Sequence, residues 1–95
     1  MKVNLKFVEV EGAREAFGAT VLEFDLKGTT VGDLVRELKE EYGKETEKVF
    51  LANLEDDPNI MIIVNWRKYV NPQKMDEFLI DEGDLVAFAP LVIGG

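Results

Sequence analysis

The 95-residue sequence contains neither cysteine nor histidine. Without cysteine the chain has no disulfide, no thiolate nucleophile and no cysteine-ligated zinc site. Without histidine it lacks the commonest general base and the commonest metal ligand. Because these absences remove most of the side-chain constellations used in catalysis, we expect a chain that is not catalytic alone.

Long apolar runs are also missing, and basic residues are outnumbered by acidic ones. No run approaches the ~20 apolar residues of a membrane span, and the N-terminus lacks the basic and then apolar pattern of a secretion signal. The 11 Lys and Arg against 19 Asp and Glu give a net charge of −8. The missing span and signal pattern predict a cytoplasmic protein that does not enter a membrane. Because an acidic surface repels phosphate backbones, we expect no nucleic-acid partner. The charge favours partners with basic clefts, and the alternative is that it serves only solubility.

The composition that remains is typical of one globular domain, with 46% hydrophobic and 32% charged residues. No internal repeat or linker divides it, so residues 1–95 are expected to form a single domain. The acidic residues at 55–57 and around Gly83 lack the ligand spacing of a calcium loop. No glycine-rich phosphate loop is present either. We therefore predict no metal or nucleotide site on this chain.

Two early segments alternate apolar and polar residues with the period of a strand that has one covered face. They are residues 1–10 (MKVNLKFVEV) and 20–28 (TVLEFDLKG). The segment between them, EGAREAFG, is expected to form a turn or loop, so the two strands form an antiparallel hairpin. The apolar positions that should face the core are Val3, Leu5, Phe7, Leu22, Phe24 and Leu26.

The next segment, TTVGDLVRELKEEYGK, has the period of a helix. Thr30 is a suitable N-cap, Asp33 completes a capping box, and Gly43 is placed to end the helix. The apolar stripe that should face the sheet consists of Val31, Leu34, Val35, Leu38 and Tyr42.

The rest of the chain predicts a short helical turn at 45–51, a strand buried on both faces in IMIIVN, a turn and short strand in NWRKYV, and a last strand in DLVAFA. Phe78, Leu79 and Ile80 are expected to pack inward. Trp66 and Tyr69 are expected to be half-buried hairpin aromatics rather than a ligand platform.

This order of elements is typical of the α+β class. The most economical architecture is a β-grasp, or ubiquitin-like, roll, in which a mixed sheet packs on one main helix. In that roll the last strand lies beside the first, and the C-terminus leaves the sheet.

The C-terminal segment 90–95 is expected to be a flexible diglycine tail. Pro90 donates no ladder hydrogen bond and should end the last strand. Leu91, Val92 and Ile93 would then lie in water, where clustered apolar groups usually mark a contact surface. The alternative is that these three residues extend the strand and pack on the core.

The α-carboxylate of Gly95 can react without help from any side chain of the chain. It can attack the α-phosphorus of ATP to give an acyl adenylate, from which a sulfur or amine nucleophile displaces AMP. Gly94 and Gly95 lack Cβ atoms, so a narrow cleft of a partner enzyme can close around them. The partner would supply the catalysis.

The sequence resembles the MoaD/ThiS family of ubiquitin-like sulfur carriers, and is most similar to the MoaD type. The resemblance rests on Phe7, AREAFG, TTVGDLVREL, IVN, DEGDLVAFAP and the final Gly94-Gly95. It implies that an E1-like enzyme uses ATP to adenylate Gly95, which becomes a thiocarboxylate, and that Gly94 permits threading. It also implies a docking surface made of Phe7, Phe88, Pro90, Leu91, Val92 and Ile93.

Strand parity with Val86 leaves Phe88 equally compatible with the core. The MoaD type is the small subunit of molybdopterin synthase, so the resemblance implies a large, MoaE-like partner subunit and sulfur donation to a pterin precursor of the molybdenum or tungsten cofactor. The chain itself is expected to bind no cofactor.

Two residues depart from the ending that molybdopterin carriers commonly show. Ala89 replaces an aromatic residue and Leu91 replaces a second proline, which leaves open which large subunit the chain fits. The alternatives are sulfur delivery to thiamine or tRNA, a ubiquitin-like modifier conjugated through Gly95, and a non-catalytic β-grasp interaction module.

Overall fold

The computed structural model describes residues 1–10, 12–44, 46 and 60–90. The strands are β1 (Lys2–Phe7), β2 (Val21–Asp25), β3 (Ile60–Val64), β4 (Lys68–Val70) and β5 (Leu85–Pro90). The helices are α1 (Ala13–Phe17), α2 (Val31–Tyr42) and a 3₁₀ helix (Pro72–Glu77). Among these residues no helix is both long and apolar enough to cross a membrane.

The five strands form one mixed sheet in the order β2-β1-β5-β3-β4. β1 pairs antiparallel with β2, β5 runs parallel to β1, and β3 pairs antiparallel with both β5 and β4. The predicted hairpin and the neighbouring first and last strands are therefore confirmed, as is the β-grasp roll.

One face of the sheet packs on α2 through a single hydrophobic core. The predicted alternation of β1 is confirmed, since Val3, Leu5 and Phe7 are buried. The expectation that β3 is buried on both faces is wrong, because Met61 and Ile63 are only half-buried. We call the face that carries these two residues, opposite α2, the open face.

Helix α2 begins and ends as predicted. The Thr30 hydroxyl accepts the N–H of Asp33 at 3.0 Å, and the Asp33 carboxylate accepts the N–H groups of Thr29 at 2.9 Å and Thr30 at 3.2 Å. The N–H of Gly43 bonds to Lys39 O at the other end. The capping box satisfies N–H groups that a helix start leaves without an intrahelical partner.

The start of α2 also holds the 3₁₀ helix in place. Arg36 donates to Asp33 at 2.6 Å and to Asp76 of the 3₁₀ helix at 2.8 Å. A Cβ at Gly32 would lie 1.9 Å from Asp76 Oδ1. The two helices approach so closely because position 32 has no side chain.

Two local expectations are wrong. The loop between β1 and β2 contains α1, bounded by left-handed Gly12 and Gly18. Leu79 is 69% exposed rather than packed inward. Its bridge to Thr30 makes the segment extended like a strand, so the side chains of Leu79 and of buried Ile80 point to opposite sides. Apart from Thr46, the predicted helical turn at 45–51 lies outside the described residues.

The Asp33 carboxylate makes the stability of the fold depend on acid. Hydrogen bonds from the backbone of Thr29, then from Arg36 and Thr30, lower the pKa of Asp33 from 3.8 to about 2. A carboxyl group whose pKa is lower in the folded state stabilises the fold at pH values above its pKa in the unfolded state. That stability is lost as the pH falls from 3.8 toward about 2.

We expect Asp33→Asn to remove this part of the acid dependence, because asparagine keeps the shape of the side chain without its charge. The measurement is the urea midpoint of both proteins between about pH 5 and about pH 2. Glu41→Gln, at an exposed position near the other end of α2, is the control. An unchanged pH slope in Asp33→Asn would contradict the assignment.

Candidate functional site

The tail begins where the central strand ends. Pro90 is the last residue of β5 and pairs with Ile60 at the start of β3. The predicted site residues Leu91, Val92, Ile93, Gly94 and Gly95 lie outside the described residues, and their roles stay predictions. The structure therefore fixes the origin of the tail at one end of the sheet.

A stack of aromatic rings lies beneath this end of the sheet. Phe7 and Phe88 are paired neighbours on β1 and β5, with ring centroids 5.2 Å apart. Phe17 of α1 stacks on Phe7 at 4.5 Å and meets Tyr42 of α2 edge-on at 5.0 Å. Offset and edge-to-face aromatic pairs add stability beyond the area they bury. The stack thus ties both helices to the strand that leads into the tail.

Phe7 and Phe88 do not lie on the surface, as an interfacial role would require. They are 3% and 0% exposed. Side chains alternate between the faces of a strand, so Phe88 points to the same face as buried Val86, and its neighbour Phe7 points there too. This is the face that packs on α2. The alternative that placed Phe88 in the core is confirmed. A docking role for these two rings stays a prediction, and their burial counts against direct contact with a partner.

The open face presents a row of side chains that crosses all five strands, which we call the open-face row. Its members are joined by register: Lys6 pairs with Val21 on one side and Ala87 on the other, and Ile63 pairs with Ala87 and Tyr69. Val21 is 61% exposed and Tyr69 57%, whereas Ala87, at the centre, is fully buried.

Trp66 extends this row from the turn between β3 and β4. The N–H of Arg67 bonds to Val64 O at 3.1 Å, and the two central residues have φ values of 55° (Asn65) and 57° (Trp66), as in a type I′ turn. Trp66 is 52% exposed, and Lys6 Nζ lies 5.7 Å from its ring centroid. This distance is within the range of a cation–π contact.

The Asn65 side chain anchors the turn that carries Trp66. Its Oδ1 accepts the N–H of Leu85 at 2.9 Å and its Nδ2 donates to Asp84 at 3.0 Å. These two side-chain hydrogen bonds hold the turn against the start of β5. They therefore fix the position of the Trp66 backbone.

Neither a metal centre nor a catalytic cluster is found in the part of the chain that the structure describes. No three His, Cys, Asp or Glu side chains come together there as a metal site would need. A cleft of about 230 Å³ beneath the Asn65 turn mixes apolar Phe78 and Leu79 with Arg67, Lys68 and two aspartates. It lies at the opposite end of the sheet from Pro90.

Sequence reasoning considered Trp66 and Tyr69 but missed the open-face row. The side chains of a strand alternate between its two faces, and the row lies on the face opposite the core, where Val21, Lys6 and Ile63 are found. The apolar residues Val21 and Ile63 at these outward positions were the sequence feature that could have indicated the row. The row itself depends on the register between strands, which one strand does not reveal.

Comparison with known proteins gives the same fold. A model described as the ThiS family matches residues 4–95, whereas a search of curated proteins found no match. A solved Pyrococcus furiosus chain, provisionally assigned as subunit 1 of molybdopterin converting factor, is 32% identical, with a TM-score of 0.69 over 97% of this chain and 99% of that one.

Two further solved structures are similar over almost the full length. Small archaeal modifier protein 1 (SAMP1) from Methanosarcina acetivorans is 25% identical, with a TM-score of 0.67 over 99% of this chain and 96% of that one. Urm1 from Trypanosoma brucei is 25% identical, with a TM-score of 0.64 over 99% and 95%.

The burial of Phe88 predicts a structural role that unfolding experiments can detect. We expect Phe88→Ala to lower the free energy of unfolding by about 3–5 kcal/mol, since it empties a buried ring site. Tyr69→Ala, at a 57% exposed aromatic residue on the other face, should change it by less than about 1 kcal/mol. Urea titration measures both. An unchanged midpoint for Phe88→Ala would place the ring outside the core.

Proposed function

The chain belongs to the ThiS family of ubiquitin-like sulfur carriers, and from that premise we propose that the carboxylate of Gly95 is the group that carries the sulfur. The observation that supports this proposal is the central position of β5, which leads directly into LVIGG. An extended chain from Ala89 to Gly95 spans roughly 20 Å. That length is sufficient to reach into the cleft of a partner enzyme.

The proposed chemistry requires only one reactive group from this chain, the carboxylate of Gly95. A carboxylate oxygen of Gly95 attacks the α-phosphorus of ATP, and pyrophosphate leaves. Hydrosulfide from the sulfur donor then attacks the acyl carbon, and AMP leaves with the oxygen, which gives a thiocarboxylate and releases the proton of the hydrosulfide. An E1-like adenylating enzyme binds the ATP and provides the catalytic groups, which fits a chain without cysteine or histidine.

We further propose that the carrier donates its sulfur to a pterin precursor of the molybdenum or tungsten cofactor, as the small subunit of a molybdopterin synthase. The 32% identical Pyrococcus chain supports this branch. Ala89 is half-buried beside Met61 on the open face. A large, MoaE-like subunit for this carrier would fill the space that an aromatic residue at position 89 occupies in other carriers.

A second candidate is a ubiquitin-like protein modifier, which the similarity to SAMP1 and Urm1 favours. The two functions share the adenylation of Gly95 and differ in the next nucleophile, which is sulfur for a carrier and a lysine amine of a target for a modifier. Sulfur delivery to thiamine or tRNA would use the same thiocarboxylate.

The intact mass of the protein tests the proposed chemistry. After incubation with ATP, the E1-like enzyme of the same organism and a sulfur donor, we expect a mass increase that corresponds to replacement of one oxygen by sulfur. A variant that lacks Gly95 should gain no sulfur, because the exposed carboxylate would then belong to Gly94.

An unchanged mass, together with enzyme binding that survives deletion of Gly95, would contradict the proposal and favour a non-catalytic interaction module. Isopeptide bonds between Gly95 and lysines, found by peptide mass spectrometry of cell extracts, would favour the modifier.

The apolar tail residues are expected to contact the partner rather than the core. Ile93→Asp should weaken binding to the E1-like enzyme about tenfold or more, since a buried, unpaired charge is costly in an interface. The melting temperature should stay nearly unchanged. Binding titration and thermal unfolding measure the two effects, with Ile93→Val as the matched control. A large fall in melting temperature would show instead that the tail packs on the core.

A further inference from the structure

The cleft beneath the Asn65 turn, which we call the turn cleft, lies at the end of the sheet away from the tail. Val64, which lines it, pairs with Val86 near the start of β5. Lys68 pairs with buried Val64 and so faces the α2 side of the sheet, not the open face. The volume of about 230 Å³ is below the roughly 300–1,000 Å³ of small-molecule sites. The turn cleft therefore fits one or two side chains rather than a cofactor.

Hydrogen bonds hold both walls of the turn cleft in place. On one side the Asp84 carboxylate accepts the side-chain N–H of Asn65 at 3.0 Å and the backbone N–H of Asp81 at 2.9 Å, one on each oxygen. On the other side Phe78 O accepts the N–H of Val31, at the start of α2, at 2.9 Å. A cleft with fixed walls loses little conformational freedom when a ligand enters it.

The apolar part of the turn cleft is only partly covered. Leu79 is 69% exposed, and Phe78 beside it is half-buried. Of the four exposed large apolar side chains among the described residues, Leu79 alone neither belongs to the open-face row nor adjoins it. An exposed leucine in the wall of a concave site is a place for an apolar side chain of a ligand.

The charges of the turn cleft favour an anionic ligand. Arg67 and Lys68 are exposed, and within the described part of the chain no ion pair involves either of them. Both oxygens of Asp84 already accept hydrogen bonds, so Asp81 is the carboxylate that opposes the two cations. A ligand carboxylate would therefore bind beside Arg67 and Lys68, away from Asp81.

The C-terminal segment of the chain has the chemistry that complements this cleft. In the sequence, three apolar residues and two glycines lead to the carboxylate of Gly95. With Ile93 against Leu79, that carboxylate would lie about 7 Å further along an extended chain.

The chain cannot place its own tail there. β5 from Pro90 back to Leu85 is about 17 Å long, and the five residues after Pro90 span at most about 18 Å. That length is used up before the carboxylate enters the cleft, so the tail that fits belongs to a second copy.

We propose that the turn cleft binds the C-terminal segment of a second copy of this chain. The apolar tail residues of that copy cover Phe78 and Leu79. Its Gly95 carboxylate lies between Arg67 and Lys68. A tail held in this way is withheld from the adenylating enzyme, and this consequence rests on the proposed function, whereas the binding itself requires only the carboxylate.

The contact is head-to-tail, because tail and cleft are different surfaces of the molecule. Such an interface is heterologous, so each pair of copies keeps one free cleft and one free tail. The net charge of −8 makes the copies repel each other, but this repulsion is screened beyond about 8 Å at physiological ionic strength. The contact is also far smaller than the roughly 800 Å² per partner of a stable interface. The association is therefore weak and depends on concentration.

A synthetic peptide of residues 89–95 tests the contact directly. Titrated into the dilute full-length protein, it should shift the NMR signals of the Arg67, Lys68 and Leu79 amides. The same peptide with an amidated C-terminus should bind about tenfold more weakly, because it lacks the charge. Asp81→Asn should bind the carboxylate peptide about threefold more tightly, because it removes the opposing charge. Lys74→Glu, at an exposed position outside the cleft, is the control and should bind the peptide like the parent.

Sedimentation separates the two halves of the contact. The average mass of the full-length protein should rise with concentration. Deletion of residues 91–95 leaves only the cleft, and Arg67→Glu combined with Lys68→Glu leaves only the tail, so each variant alone should be monomeric. Their equal mixture should form a one-to-one dimer and nothing larger, because it contains a single matched tail and cleft per pair. Thermal unfolding should show that both variants remain folded.

Three results would overturn the inference. They are a full-length protein that stays monomeric at every concentration, association that survives deletion of residues 91–95, and equal binding of the amidated and carboxylate peptides. A protein that gains sulfur but does not associate keeps the carrier function and loses this inference. One that associates through the cleft but gains no sulfur keeps the contact and loses the carrier function.

The effect on sulfur loading has its own test. At a concentration where the parent associates, the Arg67→Glu, Lys68→Glu variant should gain sulfur about twofold faster or more, because its tails stay free. At a concentration where the parent is monomeric, the two rates should be equal. Equal rates at both concentrations would show that the contact does not withhold the tail.

Discussion

The parallel pairing of β1 with β5 is the constraint on which the rest of the structure depends. It joins Asn4 to Leu85 and Phe7 to Phe88, so almost the whole chain is the connection between two neighbouring strands. Parallel neighbours require a crossover of about a dozen residues or more, and here the crossover is much longer and contributes α2 and the other three strands. Val86, Ala87 and Phe88 are fully buried because β5 has strands on both sides.

The two-residue period of β5 separates two tasks along one strand. Val86 and Phe88 face α2 and belong to the core, whereas Ala87 and Ala89 face the other way. Alanine is small, and Ala87 is fully buried between the longer side chains of Lys6 on β1 and Ile63 on β3, with which it pairs. The open face above β5 is therefore formed by the side chains of the neighbouring strands, whereas the other face of β5 belongs to the aromatic stack.

The sequence predicted the elements that have a long periodic segment or a specific cap. An example is α2, whose capping box consists of Thr30 and Asp33. It did not predict α1, because five residues between two glycines show no helical period. The position of Leu79 followed from a bridge to Thr30 that is distant in sequence. The open-face row could not be predicted for the same reason, since it requires four strand registers, two of which join β5 to strands that do not neighbour it in the chain.

A partner that covered the open face would meet one charge there. Lys6 lies in an otherwise uncharged row, and its ammonium group lies 5.7 Å from the centroid of the Trp66 ring. A surface with a carboxylate at that place would gain a charge-assisted contact, whereas an apolar or basic surface would bury an unpaired ammonium group. Because specificity is a difference between affinities and improves when the wrong partner is penalised, this residue would discriminate among the surfaces that can cover the face.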